Sequence, residues 1–530
     1  MTPNTTFQSN TVLHNVKFLS SAFDGPAGSD SVLIKDGLIE DFGTFADISD
    51  RLVEHPVPGV TVIDGQGGTV VPGFVDGHCH FEMACTVQNS WVKVQTPPFT
   101  SLAAIADELS NAVKATPPGQ WILGRSSFSM HEKVAEQRLF TRQELDAVSQ
   151  DYPIGVFASL HVASFNTRAL KELGLWSADT RHPEHGIIHR NASGEPTGVV
   201  TEAFLLPPVA TGIRDEFKAL TAREAANRWN AAGITSCHTM PETLDQAMWE
   251  REQHQAAELS IRQRHFFITP ALGTIAQIDR YRSEYENSGD MFSFGGVKLF
   301  VNGCAHDGYG HAADDYKWTQ DELDAVVEDA HRRKIQLWMH SLNDHGIKMA
   351  ATAVSRAQAK YPWDHRHRIE HGGDYINLDD LDVVRSSGVL LVTTPQFLRS
   401  TSGDVGDKHA PWRTIIDSGI RLVGGTDSTG TVPESVSVLN NIEIAASRTS
   451  NDGVVIGQDE CLSVSESFAL FTEWSAYGGF EEDKKGRLRR GALGDVVVLD
   501  QDPMACPPAK LGSIGVEKSI LGGREVYSRG

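Results

Sequence analysis

The sequence predicts a (β/α)8 TIM barrel that carries an insertion lobe and a small β-sandwich built from the two chain ends. Three observations predict it. Between about residues 71 and 484, strand-like apolar runs alternate with helical stretches, a rhythm that implies a parallel sheet covered by helices. Eight such runs can be counted, the number that closes a barrel. Histidine, lysine or aspartate stands at the C-terminal end of run after run, the rim on which such barrels build their sites.

The first segment, residues 1–70, reads as short strands, "TVLHNVKFL", "DSVLIKDGLIEDFG" and "VTVIDGQGGTVVPG", punctuated by Gly and Asp-Gly turns. The last segment, residues 485–530, has the same character in "GALGDVVVLDQD" and "VYSRG". Domain termini often lie close together, so the two segments are expected to form one composite sandwich. The first barrel strand is "VVPGFVDGHCHF", ending in His78, Cys79 and His80. Residues i and i+2 of a strand share a face. His78 and His80 can therefore hold one ion, while Cys79 faces the helical layer as a packing residue.

The stretch from about 82 to 220 is too long for one β-to-α connection. It contains strand-like pieces of its own, "WILGRSSF", "YPIGVFASLHVASFN" and "GIIHRNASGEPTGVV", and is read as a lobe over the barrel mouth. The remaining strands are "GITSCHTM", "IRQRHFFITP", "GGVKLFVNG", "IQLWMHS", "RHRIEHGG", "GVLLVTTPQF" and "IRLVGGTDS". Capping boxes, Thr221 with Glu224 and Thr319 with Glu322, announce helices between them.

Composition narrows the function class. The 530-residue chain is 40% apolar and 22% charged, as expected of a globular enzyme. Its formal charge of −22 disfavours nucleic acid and anionic membranes as partners. No apolar run reaches the roughly 18 residues of a membrane span. The polar start and six scattered cysteines without a C-x-x-C lead to the expectation of a cytoplasmic protein.

The strand ends supply His78 and His80, His238, Lys298, His340, His371 and Asp427. Singly, each has a structural explanation. His238 reads as a core histidine, Lys298 as a buried cation paired with a carboxylate, Asp427 as an Asx turn or helix cap. Metal-binding types at one barrel face make a joint accident improbable. "PGFVDGHCHFE", "VKLFVNG", "MHSLNDHGI", "HRIEHGG" and "GGTDS" resemble the motifs of the metal-dependent amidohydrolase superfamily. "GRSSF", "LHVASFNTRAL", "GEPTGVVTEAF" and "GITSCHTM" resemble its branch of N-substituted formamide deformylase-like enzymes.

The resemblance implies that His78 and His80 bind a first metal and that His340 and His371 bind a second. Lys298 bridges them as an N6-carboxylated side chain, a carbamate, and Asp427 touches the first metal and the attacking water. A lysine ammonium has no lone pair for a cation, whereas a carbamate offers two oxygens. Two Zn2+ ions suit the imidazoles, with Mn2+ or Fe2+ as alternatives. The expected reaction is hydrolysis of an amide-like C–N bond in a small molecule, an N-formyl or N-acyl amine, with Asp427 as the proton carrier. His161 in the lobe and His238 are candidates to steady the oxyanion. Glu202 and Asn166 are candidates to orient substrate or to brace the lobe. Trp91, Phe81 and Phe397 are read as pocket walls or core. His306 and His311, in "CAHDGYGH", are expected to face the site. A homodimer is the assembly allowed for. Two rival readings remain. One is a single-metal deaminase, disfavoured because Asn343 stands three residues after His340 where such enzymes place Glu. The other is a non-catalytic scaffold.

Overall fold

The computed structural model describes residues 9–81, 91–127, 130–158, 162–180, 186–201, 219–241, 244–255, 259–269, 273–286, 288–302, 318–400, 409–428, 436–450 and 453–530. At its centre is an eight-stranded parallel sheet whose strands follow chain order: β1 (Phe74–Cys79), β2 (Ile234–Thr239), β3 (Arg262–Ile268), β4 (Phe292–Phe300), β5 (Gln336–His340), β6 (Arg368–Glu370), β7 (Leu390–Thr393) and β8 (Leu422–Gly424). These are the eight runs expected from the sequence. The turn after β8 closes the sheet on β1, through Asp427 N–H to the His78 carbonyl at 2.8 Å and His80 N–H to the Ser428 carbonyl at 2.5 Å. Closure is tight at Gly425, where an added Cβ would lie 2.5 Å from the His78 Cβ. The fold is therefore a TIM-barrel-like α/β architecture with additional sheets.

Side chains of β4 change face part-way along the strand. Phe292 belongs to the core under the helices, as do Val297 and Leu299, two residues whose parity is opposite to that of Phe292. The ladder with β3 skips a residue between Phe294 and Gly296, a β-bulge that reverses the alternation. Gly296 makes it feasible: its φ is +149°, and a Cβ there would lie 2.0 Å from the Gln336 carbonyl oxygen. Downstream of the bulge, Lys298 and Phe300 point into the barrel.

The helix Gln320–Arg332 begins on the expected capping box, Thr319 with Glu322. Thr221 is not the N-cap of the other expected box. The helix Ala219–Ala231 already runs through Thr221, because the helical turn extends upstream of that residue.

Chain ends and insertion each form sheets. One sheet has the order Leu38–Gly43, Ser31–Lys35, Thr11–His14, Thr61–Asp64; another has Lys17–Phe18, Thr69–Pro72, Val496–Leu499, Val516–Leu521, Arg524–Ser528. Leu13, Val32 and Phe42 of the first pack with Val70, Val498 and Ile520 of the second in one core, so N- and C-terminal segments are bound together by strand pairing and by packing. The insertion contributes a six-stranded sheet running from Val92–Lys93 to Ile188–Arg190. Trp91, Phe157 and Phe165 from this lobe share an apolar cluster with Phe266, Phe300 and Trp338 of the barrel. That cluster roofs one side of the barrel interior.

Candidate metal centre

Four imidazoles line the C-terminal rim of the barrel. His80, His78, His371 and His340 follow one another with ring centroids 5.8, 5.0 and 4.9 Å apart. His78 and His80 point their Nε2 atoms at the same carboxylate oxygen, Asp427 Oδ1, at 3.6 and 3.1 Å. One ligand atom from each of these three residues lies within 4.8 Å of the others. Asp427 has φ +50° and His371 φ +65°, left-handed conformations uncommon for such residues. At His371 this conformation ends β6 and turns the ring toward the other imidazoles.

Burial lowers His78 toward the neutral form, drives His371 well toward it and holds His80 at about 4. Neutral imidazole is the form that offers a lone pair. Burial alone raises the Asp427 carboxyl, but the hydrogen bond from His80 and the adjacent imidazoles outweigh it and keep it below the usual carboxylate range. Burial pushes Asp76 up to about 7, against hydrogen bonds from the Thr426 hydroxyl and N–H and the His78 N–H. Asp76 thereby ties β1 to the turn carrying Asp427.

Lys298 is buried among these groups, its Nζ 5.1 Å from the Phe300 ring centre and 5.9 Å from that of Trp338. The set suits a divalent cation on chemical grounds: converging neutral imidazoles, an ionised carboxylate, and a buried His371 Nδ1 that has no hydrogen-bond partner among the described residues.

Other candidates fall elsewhere. His238 lies inside the barrel, but both ring nitrogens are engaged, Nδ1 by the Arg368 guanidinium at 3.1 Å and Nε2 by Glu481 at 3.4 Å. Its position is that of a brace, with no nitrogen left for an oxyanion. Asn166 is likewise consumed within the lobe. Its Oδ1 accepts from Ala169 N–H and Ile154 N–H, and its Nδ2 donates to the Ser149 and Tyr152 carbonyls. Trp91 packs on Phe157 with centroids 4.8 Å apart and is 5% exposed, a packing residue of the cluster that the lobe shares with the barrel. Phe81 stands edge-on to Trp229 in the core, whereas Phe397 stacks on the His371 ring at 5.3 Å. Asn343 caps the helix Asp344–Lys360, accepting from Gly346 N–H, which assigns a structural task to the position where a deaminase would carry Glu. Cys79 is buried in the layer beneath the helices. His161, Glu202, His306 and His311 lie outside the described residues.

Sequence reasoning passed over Glu370 and Arg368. Glu370 Oε2 meets His78 Nδ1, and the Arg368 guanidinium grips both Glu370 oxygens at 2.9 Å. The signal was present: two charged residues at i and i+2 in a buried strand share one face.

This chain matches the model described as the amidohydrolase family over residues 61–527. It belongs to that family. It is accordingly an enzyme of the amidohydrolase family. It is 26% identical to an N-substituted formamide deformylase of Arthrobacter pascens, covering 94% of this chain and 95% of the relative. A putative amidohydrolase, YtcJ, of Bacillus subtilis (strain 168) is 24% identical over 94% of this chain and 96% of that protein. Among solved structures, a metal-dependent hydrolase from Pyrococcus horikoshii superposes with a TM-score of 0.70 at 19% identity, covering 94% and 99% of the two chains. That likeness concerns the fold. No helix among the described residues is long and apolar enough to cross a membrane.

Proposed function

We propose that this amidohydrolase hydrolyses an amide-like bond of a small N-formyl or N-acyl amine. The observation that carries the reading is the convergence of His78, His80 and Asp427 on one point, within 4.8 Å, in a chain of this family. His78, His80 and Asp427 would hold one divalent ion. His340 and His371 would hold a second, with Lys298 bridging as its carbamate, and zinc fits the imidazole-rich set. When bound, the metal supplies Lewis acidity and lowers the pKa of water from 15.7 toward about 7.

The protein's own part is positional and protonic. Asp427, ionised and fixed by its backbone bond to β1, accepts the proton of the attacking water at its carboxylate. It then delivers that proton to the departing amine nitrogen. Burial of the imidazoles keeps competing protons off their ligand nitrogens. The N-formyl preference is supported by the full-length similarity to the formamide deformylase.

The test is a turnover screen with zinc-loaded protein over N-substituted formamides, N-acyl amines, cyclic amides and ureas. Free amine released from a formamide or N-acyl amine is the expected product. Ammonia released from an aminated ring, with no amide cleaved, would overturn the reading.

A further inference from the structure

We propose that Glu370 is a positioning residue for the metal centre: it fixes His78 in the tautomer with the proton on Nδ1, and Arg368 locks the carboxylate that does so. The inference rests on the proposed ligand role of His78. An imidazole can offer only one nitrogen to a cation, and which one is decided by the hydrogen bond the other makes. Here Nδ1 faces a carboxylate, an acceptor when ionised. The proton belongs on Nδ1 and the lone pair on Nε2, the atom aimed at Asp427.

Three contacts show a built device beyond a chance ion pair. Arg368 binds both oxygens of Glu370 and also donates to the Gly77 carbonyl at 2.6 Å. The same pair thus holds the ring of His78 and the peptide just before it. Trp338 completes the clamp, with one indole lying flat on the His78 ring (5.1 Å, 11°) and 4.3 Å from the guanidinium carbon of Arg368. His238 then fixes the remaining Arg368 nitrogen and is itself held by Glu481, so the clamp is anchored across the barrel interior. His78, Trp338, Arg368 and Glu370 are all at most 1% exposed, which denies water the chance to supply an alternative partner.

The experiment uses the full-length protein, freed of metal and labelled with nitrogen-15 at histidine, alongside Glu370→Gln. The His78 signal is identified by its loss in His78→Gln. In the unaltered protein His78 should show the Nδ1–H tautomer. In Glu370→Gln, whose amide can donate to Nδ1, the Nε2–H form should appear, and competition with a chelator should show zinc held roughly 10–100-fold more weakly. An Nε2–H tautomer in the unaltered protein would overturn the proposal, as would unchanged zinc retention in a folded Glu370→Gln. If that variant does not fold, the tautomer of the unaltered protein still decides. Unaltered protein that retains no zinc would sink the ligand reading of His78 while leaving the tautomer measurement standing.

Discussion

Histidines cluster at both ends of this barrel, and the two clusters behave oppositely. At the N-terminal end His331, His365 and His367 form a closed set. Leu337 N–H donates to His367 Nδ1, His367 Nε2–H donates to His331 Nδ1, and His331 Nε2–H donates to the Tyr361 carbonyl. His367 N–H donates to His365 Nδ1, and His365 Nε2–H donates to the Ser387 carbonyl. All six ring nitrogens have protein partners. At the C-terminal end the ring nitrogens of His78 and His80 converge on a single carboxylate oxygen, and His371 Nδ1 has no hydrogen-bond partner among the described residues. Both clusters are buried and driven toward neutrality. What separates a structural cluster from a metal-ready one is therefore whether the lone pairs are already spent.

The largest effect should follow from breaking the open cluster. Asp427→Asn should lower kcat by about 10²–10⁴-fold, the range for loss of a general base, with the thermal midpoint of the metal-free protein little changed. Turnover and melting measured together check this. Near-normal turnover would return Asp427 to a purely structural role.

The next effect belongs to the closed cluster and to pH. Burial, opposed by a bond to the Ser387 carbonyl, holds His365 at about 4 in the folded protein, against about 6.5 when unfolded. The unfolded chain binds the extra proton between those values, so stability is full above about pH 6.5 and is lost as pH falls toward 4. The loss is on the order of 3 kcal/mol for this residue. Urea midpoints of the unaltered protein and His365→Gln, followed between pH 7 and 5, should converge as pH falls. Parallel curves would contradict the assignment.

His367→Leu should cost about 1–3 kcal/mol, because it strands the buried Leu337 N–H and one His331 nitrogen, yet leave kcat within twofold. A large fall in kcat would show that the two ends are coupled. Smallest of all, Asn343→Ala should remove a helix cap worth about 1 kcal/mol with turnover intact. A large loss of activity there would revive the deaminase reading.

Much of this was legible in the primary structure because it rests on short periods. The i, i+2 spacing of His78 and His80, the eight alternating runs, and the Thr319–Glu322 cap are local patterns, and local sterics and hydrogen bonding enforce them. Whether a ring nitrogen is spent depends on which atoms from distant segments reach it, and spacing cannot show that. His238 illustrates the point: it stands at the end of β2 as expected, but Arg368 and Glu481, far along the chain, occupy both of its nitrogens. Asn166 shows the same in the lobe.

By itself the sequence determined the barrel, the order of its strands and the residue types at the rim, since apolar periodicity and strand-end position are properties of contiguous chain; the family was legible only through the resemblance of its motifs. Tertiary structure decided which of those residues meet. The bulge at Gly296 reverses the alternation of β4 and turns Lys298 into the barrel. The Arg368–Glu370 pair clamps His78 from across the sheet. The first depends on the close approach of the adjacent strand β5, the second on reach across the barrel interior from β6 to β1, and both contacts exist only once the barrel has formed.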